Sequence, residues 1–319
     1  MRALICSAPG LLEYQDIEAP EKKKDHAIIR IRRTGICGTD FHAFKGNQPY
    51  FSYPRILGHE LAGELMDNVE GFTPGEVVTF IPYFHCGFCN ACLRGKTNCC
   101  VQMKVCGVHV DGGMVEYLSV PVAALVKNEG LSADELALVE PLAIGAHGVR
   151  RADVQPGDTV LVIGAGPIGL GLAAFAKIAG GHVTVFDLNK ERLAFCAKEL
   201  DVAITNDPAE IVADVVMDAT GNLAAINGGL QYLAHGGRYV LVGLQKEALS
   251  FSHPELHKRE GTVMSSRNAT RQDFEQVTQA IKNKTINPVR FITHRVHFSE
   301  LKTFMENFPS DSIKVMVDY

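Results

Sequence analysis

Residues Thr159 to Ala176 read TVLVIGAGPIGLGLAAFA, and this stretch decides the fold. It carries no charge over 18 residues, the length of a candidate membrane helix. Gly164, Gly166, Pro167, Gly169 and Gly171 interrupt it after a short Val/Leu/Ile run. The run therefore predicts a buried strand, a tight turn and a packed helix, and no membrane partner is expected.

Gly164-Ala165-Gly166-Pro167-Ile168-Gly169 fits G-x-G-x-x-G between that strand and that helix. The first glycine permits the turn, the second lets backbone approach a pyrophosphate, and the third lets helix and strand pack closely. Phosphate then sits on the N–H groups at the helix start. A chain with 30 glycines produces such spacings by chance, so Asp187 matters. It ends the next apolar strand, 18 residues after Gly169 (187 − 169). A carboxylate there accepts hydrogen bonds from an adenosine ribose and repels a 2′-phosphate, which favours NAD over NADP. Arg192 moderates this preference, because a nearby cation tolerates phosphate. The plainer alternative is that Asp187 only caps the helix beginning at Lys190.

Outward from this stretch, the texture from Pro156 onward alternates. Strands are predicted at Thr159 to Ile163, His182 to Phe186, Val215 to Asp218 and Arg238 to Val242. Helices are predicted from about Ile168, from Lys190 and over Ala224 to Tyr232. Such alternation builds a doubly wound (Rossmann) parallel sheet, an α/β arrangement. The first ~145 residues are instead rich in Gly, Pro and β-formers, with alternating stretches at Ala27 to Arg32 and Gly75 to Ile81. They predict an irregular, largely antiparallel β domain. After Asn287-Pro288 the pattern loosens, and the tail IKVMVDY is expected to rejoin the first domain's sheet. The expected division is residues 1–147 with 287–319, and residues 148–286.

The 319 residues have a net charge of −5, and no basic cluster exceeds Lys22-Lys23-Lys24, which argues against nucleic acid as a partner. Nine cysteines is an odd number, and Cys86, Cys89, Cys92, Cys99 and Cys100 lie together. MRALICSAPG lacks a long apolar leader segment. A reducing cytoplasm and a metal explain this usage better than disulfides.

Cys86-x2-Cys89-x2-Cys92-x7-Cys100 can close a tetrahedron around zinc with no open position, so the site is structural. Cys99 competes for the fourth place. A second constellation joins Cys37, in GICGTD, to His59 and Glu60, in GHE. A cysteine, a histidine and a carboxylate form the kind of mixed set that leaves a position for substrate. Glu140, in LVEPLAIGAH, is a carboxylate in an apolar run. Burying it is costly unless it is paired or bound to metal, so it is a candidate fourth ligand.

In order and spacing, GICGTDFH, YPRILGHELAGE, CGFCNACLRGKTNCC, DGGMVEY, VEPLAIGAH, GAGPIG and DATG resemble the zinc-containing medium-chain dehydrogenase family. The resemblance implies a GroES-like catalytic domain, an NAD-binding Rossmann domain and two Zn2+ per subunit, one catalytic and one structural. It selects Cys100 for the structural zinc and implies Cys37 and His59 as catalytic ligands, with Glu60 and Glu140 exchanging with water. Glu140 stands where simple alcohol dehydrogenases use cysteine, which points to the polyol and sugar-acid branch. Within that branch, FHAFKGNQPYFSYPRILGHE, KVCGVHVDGG and SSRNATR are most similar to bacterial L-idonate/L-galactonate 5-dehydrogenase-type members. Sorbitol, butanediol and threonine dehydrogenases share much of the scaffold, and a non-catalytic NAD-binding protein is the alternative from another class.

The same resemblance implies Thr39 and then His42 as a proton relay, and Asp40 as the group orienting His59. It implies Thr220, Val242, Gly243 and Ser266 on the cofactor, and Arg267 and Asn268 on the substrate, with Arg267 or His42 meeting its polar groups. A homodimer or homotetramer is expected. Relative to the family, the link from Asn206 to Val215 lacks a helix and loop, and loops near 67–69 and 309–312 look trimmed.

Overall fold

The computed structural model describes residues 1–48 and 51–319, in two compact units: residues 1–140 with 270–319, and residues 141–269.

In the second unit, six parallel strands lie in the spatial order Ala203–Thr205, His182–Phe186, Thr159–Ile163, Ala213–Asp218, Leu233–Leu241, Thr262–Ser265. Numbered by sequence this is 3-2-1-4-5-6, the doubly wound order. Val160, Leu161, Val162 and Ile163 are all buried, because helices cover both faces of a central parallel strand. Leu161, Ile163 and Val216 pack with Leu230, Leu233 and Tyr239 in one cluster. The helix Pro167–Ile178 buries a continuous run from Gly169 to Ala176. Residues 206–212 carry the chain from the third strand to the fourth without a helix. They are tightened instead by local bonds, among them Ala209 N donating to Asp207 Oδ1 and Ile211 N to Pro208 O.

The first unit is built on an antiparallel sheet around the long strand His26–Ile36, which pairs with Glu60–Leu65, with Tyr117–Pro121 and with Lys314–Asp318. The tail thus returns to this sheet as expected. There Lys314–Asp318 also pairs in parallel with Ile292–His297. Arg2–Ala8 lies between Leu11–Asp16 and Arg55–Ile56 in a smaller sheet.

The compact units divide at 140/141, inside the helix Val139–Ala152, and at 269/270. The helix Arg271–Lys282 thus lies in the first unit. It starts at a capping box between Thr270 and Asp273. Arg271 donates to Ala123 O (2.6 Å) and Leu125 O (3.2 Å), and Lys282 pairs with Glu129 at 2.6 Å. Its Phe274 meets the Tyr83 ring edge-on, with centroids 6.3 Å apart. The alternating texture continues through this helix, so the sequence pattern does not show the change of partner. Among the described residues, no helix is long and apolar enough to cross a membrane.

Candidate active site

Cys37 follows directly on the strand His26–Ile36 and caps the helix Gly38–Phe44 with extended backbone (φ −93°, ψ 153°). Asp40 fixes this start. Its Oδ2 accepts Cys37 N (2.9 Å) and its Oδ1 accepts Gly58 N (3.0 Å), which ties the helix to the residue before His59. His59 Nδ1 lies 3.7 Å from Asp40 Oδ1 and has no hydrogen-bond partner in the structure. The register Gly35↔Glu60 then sets Glu60 beside the cysteine. A Cβ on Gly35 would stand 2.1 Å from Glu60 Oε2, so only glycine leaves room for that carboxylate.

The donor atoms of Cys37, His59 and Glu60 lie within 4.8 Å of one another. A soft thiolate, an imidazole and a carboxylate at that spacing fit a zinc ion, with His59 Nδ1 turned towards Asp40 and the other ring nitrogen left to serve as the donor. Glu140 stands outside this trio. It lies buried in the first turn of the helix Val139–Ala152, and its Oε1 accepts the hydroxyl of Tyr83. Burial pushes the Glu140 carboxyl up to about 7, and the Glu60 charge adds to it. Burial opposes protonation of His59, yet the negative Cys37 and Asp40 hold its pKa well above the ordinary imidazole value. A cluster this rich in negative groups matches a divalent cation.

Lys314 completes the surroundings. Its Nζ is 2.6 Å from each oxygen of Glu60 and 3.2 Å from Ile36 O, with lysine and carboxylate both buried. Burial works against its charge, and Glu60 more than restores it. Of the proposed relay, Thr39 is half-buried and His42 exposed, and both lie on the helix Gly38–Phe44. Sequence reasoning missed Tyr83, Lys314 and Gly35. The available signals were a lysine inside the apolar run IKVMV and a tyrosine in FIPYFHC, each a polar group needing a buried partner.

Cys86, Cys89, Cys92 and Cys100 also gather their donor atoms within 4.8 Å, and the exposed Cys99 is not among them. Cys86 N and Gln102 N both donate to Cys100 Sγ at 3.3 Å, and Cys89 N donates to Cys86 Sγ at 3.4 Å. Burial raises the Cys100 thiol, but the N–H groups of Cys86 and Gln102 bring it down overall, while those of Cys92 and Val101 lower the Cys89 thiol to about 6. The set fits a closed tetrahedral zinc site.

In the second unit, Gly164 has φ +105°, and a Cβ on Gly169 would stand 1.8 Å from Gly164 O. Gly166 caps the helix with open space around its Cα, and Pro167 opens the first turn before Ile168. That is a cradle a phosphate would fill. Asp187 Oδ2 accepts Ala165 N (2.7 Å) and Oδ1 accepts Asn189 N (2.8 Å), so its carboxylate is anchored beside the glycine turn. The helix cap itself is Asn189, which accepts Glu191 N and Arg192 N. Arg192 Nε is buried without a hydrogen-bond partner. Asp218 Oδ1 accepts the N–H groups of Thr220 and Gly221, while its carbonyl accepts those of Val242 and Gly243. Asp218 was also not anticipated, and it ties two neighbouring strand ends together at the crevice. Ser266 is buried with its Oγ unpartnered, Arg267 is exposed, and Asn268 is half-buried at φ +53°.

Residues 23–130 match the alcohol dehydrogenase GroES-like domain family, and residues 167–283 match the zinc-binding dehydrogenase family. The chain belongs to the zinc-type alcohol dehydrogenases, a family of oxidoreductases. It is 45% identical over 328 residues to the L-galactonate-5-dehydrogenase of Escherichia coli K12, covering 98% of this chain and 96% of that protein. Among solved structures it is similar to an alcohol dehydrogenase, RspB, of Escherichia coli CFT073 complexed with NADH (TM-score 0.92, 29% identity, 100% and 99% of the two chains). It is also similar to a zinc-binding dehydrogenase of Sinorhizobium meliloti 1021 bound to NADP (TM-score 0.93, 26% identity, 100% and 99% coverage).

Proposed function

We propose that the protein is an NAD-dependent zinc dehydrogenase oxidising a secondary alcohol of a sugar acid, in the manner of an L-galactonate or L-idonate 5-dehydrogenase. The observation that carries this reading is the buried trio Cys37, His59 and Glu60 with Glu140 alongside. The 45% identity to an L-galactonate-5-dehydrogenase supports the substrate class.

Zinc supplies Lewis-acid polarisation of the alcohol oxygen when bound, and the nicotinamide supplies a hydride acceptor. The chain's residues do the rest. Cys37, His59 and one of the two carboxylates hold the ion, while Asp40 sets the position of His59. Thr39 receives the proton from the substrate hydroxyl and His42 passes it to solvent. Arg267 and Asn268 meet the polar end of the substrate, with the guanidinium suited to a carboxylate. Cys86, Cys89, Cys92 and Cys100 hold a second, structural zinc.

For the cofactor, Gly164, Gly166, Pro167, Ile168 and Gly169 receive the pyrophosphate, and Thr220, Val242, Gly243 and Ser266 line the nicotinamide half. The two solved relatives carry NADH in one case and NADP in the other, so the choice rests on Asp187 and Arg192. The carboxylate of Asp187 beside the glycine turn disfavours a 2′-phosphate. Asp187→Ala is expected to narrow the preference for NAD by about tenfold or more, a loss of ~1.4 kcal/mol in discrimination. A wild type that turns over faster with NADP would contradict this assignment.

The substrate test is an initial-rate screen of L-galactonate, L-idonate, sorbitol, 2,3-butanediol and threonine with NAD. The two aldonates are expected to give the highest kcat/KM. A polyol, diol or amino acid ahead of both would replace the substrate class, and no hydride transfer to NAD with any of them would favour a non-catalytic role. The assembly is expected to be a homodimer or homotetramer, read by light scattering.

A further inference from the structure

Tyr83 is buried, belongs to the short strand Tyr83–Phe84 and lies outside every motif that marks the metal sites. Its ring packs edge-on against Phe274, and its hydroxyl donates to Glu140 Oε1. Two carboxylates thus stand near Cys37 and His59, each with a different partner. Lys314 holds both oxygens of Glu60 at 2.6 Å, while Tyr83 holds one oxygen of Glu140. A cationic partner competes strongly with a metal for a carboxylate, because hydrogen bonds to charged donors are about twice as strong as neutral ones. With Lys314 drawing on Glu60, Glu140 would be the easier carboxylate for a metal to capture, were it not held elsewhere. Yet it is Glu60 whose oxygen lies within 4.8 Å of the Cys37 and His59 donors.

We propose that Tyr83 is a positioning residue: by holding Glu140, it keeps that carboxylate out of the metal's ligand set and leaves the set to Cys37, His59 and Glu60. The inference rests on the reading that this trio holds a metal, and it adds to that reading which carboxylate stays outside and what keeps it there. Glu140 then remains a hydrogen-bonding group beside the reacting hydroxyl, and the position it would have taken on the metal stays available to substrate.

The test uses full-length protein with cobalt(II) at the trio, comparing wild type, Tyr83→Phe, Glu140→Gln and the double variant. Phenylalanine keeps the ring against Phe274 and removes only the hydroxyl. Tyr83→Phe is expected to shift the cobalt visible absorption towards a higher-coordinate, weaker spectrum. It is also expected to lower kcat by ~10–100-fold, the usual range for losing a partner of a metal-site residue. KM for the alcohol should change less than about threefold. Adding Glu140→Gln to Tyr83→Phe should return the cobalt spectrum to that of Glu140→Gln alone. An unchanged spectrum and unchanged kcat in Tyr83→Phe would overturn the proposal. So would an equal spectral shift with Glu140→Gln already present, since Tyr83 would then act through another group. If wild type takes up no cobalt at the trio, the reading of the metal site itself fails and the proposal goes with it.

Discussion

Cys37→Ser protein is expected to lose at least ~10³-fold in turnover while still binding NADH, because Lewis-acid stabilisation is worth several kcal/mol and each ~1.4 kcal/mol is a factor of ten. The local structure makes this substitution informative. Cys37 caps the helix Gly38–Phe44 in an extended conformation, and serine is among the preferred residues for that place. The variant should therefore fold with its helix intact, and the anchor from Asp40 Oδ2 to the backbone N–H of residue 37 needs no thiol. The glycine turn lies in the other unit, with its own hydrogen bonds, so dinucleotide affinity read by NADH fluorescence should stay within about twofold of wild type, a change of only ~0.4 kcal/mol. Metal analysis is expected to show one zinc per chain instead of two. Retained turnover in protein that has lost this zinc would remove Cys37 from the mechanism.

The second large effect concerns stability. Cys100→Ser is expected to lower the melting temperature by ~6–12 °C, from a loss of ~3 kcal/mol out of the ~10–16 kcal/mol of a structural zinc site, at ~2–4 °C per kcal/mol for units of this size. The lobe from Cys86 to Met103 contains only the helical turns Asn90–Leu93 and Thr97–Cys99. Of its larger apolar side chains Phe88, Leu93 and Val101 are exposed and Met103, at its end, is buried, so little buried apolar area holds it once the sulfurs let go. Limited proteolysis should accordingly cut within this lobe before any other part of the chain. Cys99→Ser is the matched control and should leave both melting and zinc content unchanged. If Cys99→Ser proves as damaging as Cys100→Ser, the fourth ligand has been misassigned.

Much of this architecture could be read from local pattern. The strands Thr159–Ile163 and His182–Phe186 occupy the predicted residues: the first is buried from Val160 to Ile163 and writes itself as an apolar run, while the second buries Val183 and Val185 in alternation. The glycine turn and the cysteine spacing were equally legible, since each is a short-range geometric demand. Partners distant in sequence were not. Tyr83 and Glu140 are 57 residues apart, and Lys314 and Glu60 are 254 apart, so neither pair leaves a mark in any window of the chain. The helix Arg271–Lys282 was not singled out, and its allegiance depends on Ala123, Leu125 and Glu129, which no periodicity connects to it.

The pairing of Lys314 with Glu60 also leads to an expected order of events during synthesis. Glu60 emerges early, yet the lysine that neutralises it lies 254 residues further on, which at ~5–20 residues per second is a delay of roughly 13–50 s. Burying the carboxylate before then would leave a charge uncompensated, at a cost of about 3–5 kcal/mol. The intervening residues 141–269 have time to build their own parallel sheet while that corner of the first unit stays open. The core of residues 141–269 is thus expected to form first, and the surroundings of Glu60 to close when the strand Lys314–Asp318 docks against His26–Ile36.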